Sequence, residues 1–221
     1  MLLSDPLALA ALALLHVLVL VYWLGGDLGA FVASHILSDE AAHPQARLAA
    51  AKVVAEVDMA PRTALILALP TGLTLLGAKG LGAVPVWGLG LIWIGGAFWL
   101  ALVWWLHRRH PGPRSAFHQL DLALRWLLFG ALVAIASGMV LDWPLFVRLK
   151  CAALAATVLC GLLIRARLAP FGPALAGLAK GLPTEEDNAA IRKALGAARP
   201  LVILIWILLG LAALLGLWRP L

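Results

Sequence analysis

The chain is short of acid, of sulfur and of tyrosine. Its 221 residues hold 11 Asp and Glu, 2 Cys, 3 Met and 1 Tyr. Charged residues make up 13% of the sequence, about half the share of a soluble domain. So few charges do not clothe the surface of a water-soluble globule of this length. Cys151 and Cys160 both fall in an apolar run and lie on opposite faces of a helix, so neither a disulfide nor CxxC chemistry is expected. Met59 and Met139 are isolated, which leaves little soft sulfur for a copper path. The sequence contains no zinc-protease motif, no P-loop, no dinucleotide fingerprint and no Ser-His-Asp order. Met1-Leu2-Leu3-Ser4-Asp5-Pro6 has no basic n-region, so no cleaved signal peptide is expected and the first apolar segment stays.

What remains is apolar. Hydrophobic residues make up 63%, in runs long enough to cross a bilayer as helices. The fold class is therefore all-α: a polytopic membrane helical bundle, one transmembrane domain over residues 1–221, with about six spans. The spans are placed at about 7–37, 58–76, 84–106, 120–141, 145–164 and 200–218. Pro44 opens a wet, amphipathic helix that enters the membrane near Asp58, and Pro61 and Pro70 predict a kink or an opened backbone in the second span. Asp142-Trp143-Pro144 reads as a tight turn. Thr184-Glu185-Glu186-Asp187 reads as an N-cap with an acidic first turn, opening a surface helix over 185–198, after which Pro200 opens the last span. No internal repeat marks an inverted-topology transporter.

The net charge of +6 is read as loop charge rather than as a nucleic-acid surface. Arg47, Lys52, Arg108, Arg109, Arg114, Arg165, Arg167, Lys180, Arg192, Lys193 and Arg199 lie on one side. Lys79, Arg148, Lys150 and Arg219 lie on the other. Eleven against four places the first group, including the 185–198 helix, in the cytoplasm, and both termini on the outer, periplasmic side of a bacterial inner membrane.

The first span carries polar residues where hydrocarbon favours leucine. At about 100° per residue, Trp23 and Asp27 fall roughly 20° to either side of His16, and Ser34 falls in line with it. That face must look into protein, water or a cofactor. His16 lies roughly 14 Å below the outer surface and Lys150, in the fifth span, roughly 9 Å, so the two could meet in the outer half of the bundle. A neutral histidine there takes a metal, a haem iron or a hydrogen bond, while Lys150 by itself could simply snorkel to the interface. His35 lies about 100° around the helix from His16 and belongs to the inner side, where a second site would pair it with His107 or His118, the alternative being ordinary interfacial histidines. His110, beside Pro111, is solvated. Asp27 and Arg62 sit at matching depths, open to an ion pair, a proton relay or propionate binding. Arg125 is read as a headgroup contact, Arg148 as a propionate partner from outside, and most of the ten tryptophans as interface anchors. Trp23 would pack on a porphyrin or on a neighbouring helix.

Leu15-His16-x₆-Trp23-x-x-Gly26 resembles the opening span of the HemJ-type protoporphyrinogen oxidases, and the CopD-type copper-resistance membrane proteins begin similarly. Met59-Ala60-Pro61 leading to Pro70-Thr71-Gly72 is similar to that superfamily's second span, and Trp143-Pro144-Leu145-Phe146-Val147-Arg148-Leu149-Lys150 to the start of a later one. The resemblance covers about a third of the chain. Asp27 to His35 replaces the HemJ type's Tyr-Leu-Pro-Arg segment, so the resemblance implies a haem-binding relative rather than protoporphyrinogen oxidation itself. It implicates His16 and Lys150 in holding b-type haem, one group or, with the inner histidines, two. The expected function is transfer of electrons, or oxidation of a small substrate, towards quinone or another membrane acceptor; as an enzyme it would be a membrane oxidoreductase. The alternatives are copper or small-solute transport and a membrane anchor subunit of a larger complex, with a homo-oligomer or a partner subunit. The 185–198 helix is the surface a cytoplasmic partner would use.

Overall fold

The computed structural model describes residues 5–218 except 83, 113, 114, 142 and 182. Arg114, Arg219, Asp142 and the first four residues, all used above, lie outside the described residues. The rest is 86% helical, with no strand among the described residues. The helices are α1 (Pro6–Ser38), α2 (Pro44–Val57), α3 (Met59–Ala78), α4 (Val86–Arg109), α5 (Ala116–Ser137), α6 (Leu145–Arg167), α7 (Phe171–Ala179) and α8 (Glu185–Trp218).

Their ends follow local chemistry. The Asp5 carboxylate accepts from the Leu7 N–H, and Pro6 fills a position whose N–H no helix would use. Ser115 caps α5, and Gly138 ends it at φ 74°, a left-handed conformation that suits glycine. At the start of α8, Thr184 Oγ1 accepts from the Asp187 N–H while the Asp187 carboxylate accepts from the Thr184 N–H, a reciprocal capping box.

Among the described residues, six segments are long and apolar enough to cross a bilayer, which makes the chain a multi-pass helical membrane protein by length and composition. α1 packs on α3, α3 on α4, α4 on α5, α5 on α6, α6 on α8, and α8 back on α1. The six spans thus close a ring. Its continuous apolar core is built from Val19 and Trp23 of α1, Leu65 and Leu73 of α3, Trp99 and Val103 of α4, Leu128 and Leu132 of α5, Val158 of α6 and Ile205 and Leu209 of α8. The polar face of α1 turns inward as expected: His16 meets α3, and Ser34 meets α8.

Length divides the helices into two groups. The α4, α5 and α6 helices have 24, 22 and 23 residues, or about 35 Å each, close to the hydrocarbon thickness. The α1 and α8 helices have 33 and 34, and α2 with α3 runs 35, each about 50 Å. The α2 helix, the last turns of α1 and the first turns of α8 gather with α7 into a cap at one end of the ring. A small second core fills it, from Leu37, Ala50, Ala51, Ala174, Leu178, Ile191 and Leu195. Two arginines tie the cap together. Arg47, buried, donates from Nε to the Leu37 carbonyl at 3.0 Å and from Nη1 to Asn188 at 2.9 Å. Arg199 donates to the Ser34 carbonyl at 3.0 Å and to Ser38 Oγ at 2.7 Å. Both supply cations to the last turn of α1, where free carbonyls and the helix dipole favour them.

Several expected boundaries move. The separate surface helix over 185–198 does not exist, because α8 runs unbroken through Pro200. The carbonyl that Pro200 deprives of a donor belongs to Gly196, which is exposed. The short α7 lies between the fifth span and α8. The fourth span ends at Ser137 rather than Leu141, because Gly138 closes the helix. Pro61 leaves α3 intact because it stands in the first turn, where its missing N–H has no intrahelical partner to lose; only Pro70 is interior.

The tightest joint is at Gly26. A Cβ there would lie 2.5 Å from Ala60 Cβ and 2.8 Å from Pro61 Cδ. Gly26→Leu is expected to force α1 off the α2–α3 junction at a cost of about 1–3 kcal/mol, whereas Gly25→Leu, where a Cβ meets open space, is expected to be nearly neutral. Thermal unfolding of both variants in detergent measures the difference; equal midpoints would refute the close approach.

Candidate functional site

Pro70 removes one rung from the hydrogen-bond ladder of α3, the one to the Ile66 carbonyl, and two threonine hydroxyls bond to neighbouring carbonyls of the same helix. Thr74 Oγ1 donates to the Pro70 carbonyl at 2.7 Å and accepts from Trp93 Nε1 at 3.0 Å. Thr71 Oγ1 lies 2.6 Å from the Leu67 carbonyl and 2.9 Å from His16 Nδ1. A hydroxyl owns one proton, and a carbonyl only accepts. The Thr71 proton therefore goes to Leu67, and Thr71 Oγ1 accepts from His16 Nδ1–H. In the neutral ring the lone pair then sits on Nε2. Gly72 makes room for this imidazole, since a Cβ there would stand 3.2 Å from its Cε1.

Lys150 and Lys79 are both within electrostatic reach of His16. The Lys150 amine packs against α8 in the space left by Gly216, where a Cβ would lie 2.9 Å from Nζ. His16 and Lys150 thus share one end of the ring, away from the cap. The other expected contributors are engaged elsewhere. Arg148 donates to the Ala136 and Ser137 carbonyls at 3.3 and 2.9 Å and so closes the C-terminus of α5. Arg62 pairs with Asp58, one turn before it, near the cap. Trp23 is buried in the core, and its indole and that of Trp206 lie beside the Asp27 carboxyl. Asp27 Oδ2 and Trp206 Nε1 are both buried without a partner in hydrogen-bonding geometry.

The inner histidines each take a different partner. His35 Nδ1 bonds to the Phe31 carbonyl of its own helix at 3.0 Å. His107 Nε2 meets Glu56 at 3.1 Å, and His118 Nδ1 meets Ser115 at 3.0 Å. No group of three or more His, Cys, Asp or Glu converges among the described residues.

A second polar cluster, which sequence reasoning missed, lies near the cap. Asp121 is 3% exposed. It accepts from Trp99 Nε1 at 2.9 Å, from Arg125 Nε at 3.1 Å and from Arg165 Nη1 at 2.7 Å. Arg125, expected to reach lipid headgroups, is instead folded against Asp121 and the Trp99 ring. The i,i+4 spacing of Asp121 and Arg125 is a signal the sequence does carry; that Arg165 and Trp99 complete the set is tertiary.

These features define a class, a multi-span helical membrane protein with polar groups shared between its helices. Comparison with protein-family models, with curated proteins and with solved structures finds no match.

Asp121→Ala would strand the Arg125 guanidinium against the core and release the more exposed Arg165, and removal of one partner from a buried ion pair costs about 3–5 kcal/mol. A fall of the unfolding midpoint by several degrees is expected, with Asp121→Asn intermediate. An unchanged midpoint for the alanine variant would show that the cluster bears no load.

Proposed function

We propose that this protein binds a b-type haem in the bilayer and passes electrons between a membrane or soluble reductant and an acceptor such as quinone. The observation that supports the reading is the position of Thr71 Oγ1 between the Leu67 carbonyl and His16 Nδ1, which assigns the ring proton to Nδ1 and would leave the Nε2 lone pair for iron. A ligating histidine with its other nitrogen hydrogen-bonded is the usual arrangement at metal centres. Lys150, within electrostatic reach of His16 together with Lys79, is the candidate second residue that would hold the group. Arg148 and Arg62, the expected propionate partners, are engaged with the α5 carbonyls and with Asp58. The haem would supply one-electron chemistry; the chain would supply the His16 nitrogen that holds it, the orientation of that ring and an apolar surround that sets the potential. The resemblance of the opening span to haem-binding membrane proteins points the same way. The cap would then face the cytoplasm of a bacterial cell and both termini outward, a topology that the distribution of Lys and Arg supports.

Expression with haem supplied, followed by a pyridine haemochrome assay, tests the proposal. A Soret band that shifts on dithionite reduction and is lost in His16→Ala is expected. Thr71→Val removes the bond that orients the ring and is expected to weaken haem retention about 10–100-fold while leaving the fold intact. A colourless protein, or one that carries copper without haem, would overturn the reading. Alkaline phosphatase fused after Trp218 is expected to be active, and inactivity would reverse the topology.

A further inference from the structure

The seam between α1 and α8 holds a carboxyl group with no cation of its own. The two helices run antiparallel, and their register is set where Arg199 donates to the Ser34 carbonyl at 3.0 Å. Two turns back along α1 stands Asp27, and two turns on along α8 stands Trp206, so the two face each other. The rings of Phe31, one turn from Asp27, and Trp206 fix the same level, with centroids 5.3 Å apart. Asp27 Oδ2 and Trp206 Nε1 are both buried, and neither has a hydrogen-bond partner. Trp23, one turn to the other side of Asp27, is buried too. The third wall is the α2–α3 junction, where a Cβ on Gly26 would lie 2.5 Å from Ala60 Cβ and 3.1 Å from the Val57 carbonyl oxygen. The charged groups of these walls are engaged with other partners. Asp58, between Val57 and Ala60 in the chain, bonds to Arg62, the residue that depth alone had matched to Asp27. Glu56 bonds to His107 of α4. Arg199 bonds to Ser34 and Ser38, Arg47 to Leu37 and Asn188, and Arg192 to Glu40. Lys52 and Lys193 are exposed.

We propose that Asp27 is a proton-exchange site: its carboxyl group holds a proton inside the closed seam and releases it to water on the capped side. An ionised carboxylate without a cation is costly in a membrane span, and a bound proton removes that charge where it stands. On release the O–H bond breaks, its electron pair stays on the carboxylate, and the proton passes to water. The unmet Trp206 N–H is then the donor at hand for the new charge. Water has a route, because Asp27 as a whole is only partly buried and the Asp58 and Arg62 side chains at the adjoining junction are 39% and 47% exposed. The site is separate from the His16 pocket, which lies roughly 16 Å away along α1.

The test uses the full chain in detergent with no haem added, so its outcome is independent of the haem reading. Infrared difference spectra are taken between mildly acidic and alkaline buffer, a range in which ordinary exposed carboxylates stay ionised. The parent is expected to show a carboxylic-acid C=O band that shifts in D2O and is lost on the alkaline side. The band is expected to be absent from Asp27→Asn and present in Asp58→Asn. Trp206→Phe removes the facing N–H, and is expected to keep the band but to move its loss to higher pH by about one unit, a tenfold change in proton affinity. If Asp27→Asn does not fold, Asp27→Glu decides: a band at a new frequency supports the assignment, and one at the parent's frequency overturns it. The absence of any such band from the parent, its persistence in a folded Asp27→Asn variant, or a Trp206→Phe variant that titrates as the parent does would each overturn the proposal.

Discussion

The constraint on which the structure depends is that a polar stripe in hydrocarbon must be covered. The α1 helix carries His16, Asp27 and Ser34 along one face, and lipid would leave their hydrogen-bonding groups unmet. Two neighbours cover it in different ways. The α3 helix brings Thr71 to His16, and α8 brings Arg199 to Ser34 and lays Trp206 beside Asp27 without a hydrogen bond between Trp206 Nε1 and Asp27 Oδ2. Once α1 lies between α3 and α8, the order of the remaining spans follows, because α4, α5 and α6 join consecutively and close the ring onto α8.

The two ends of the ring then differ in kind. At the uncapped end a proline gap in α3, its threonines and an oriented imidazole form a small polar site with lysines near it. At the capped end arginines dominate, and each has a distinct task. Arg47 and Arg199 close the last turn of α1, while Arg125 and Arg165 converge on Asp121. A charge distribution that topology alone would explain as orientation therefore also builds structure. The same arginines that mark one side of the membrane hold that side together.

Glycine placement supports this division of labour. Gly26 lets α1 touch the α2–α3 junction, Gly72 admits the His16 ring, and Gly216 admits the Lys150 amine. Each of these glycines stands where a helix must yield to a neighbouring backbone or to a polar side chain. Gly25, Gly90 and Gly95 meet open space and carry no such requirement.

Much was legible in the sequence by itself. Apolar run length determines six spans, because a helix must satisfy its own backbone across about 30 Å of hydrocarbon. Helical phase determines that His16, Trp23, Asp27 and Ser34 share a face that turns away from lipid. Only the tertiary structure decided what that face meets. Thr71 stands 55 residues from His16 and Arg165 44 from Asp121, and no periodicity encodes such pairings. The continuity of α8 through Pro200 was likewise hidden, because a proline reads as a boundary until its surroundings show that the freed carbonyl of Gly196 is exposed. Local sequence determines which groups need partners; packing at a distance decides which partners they take.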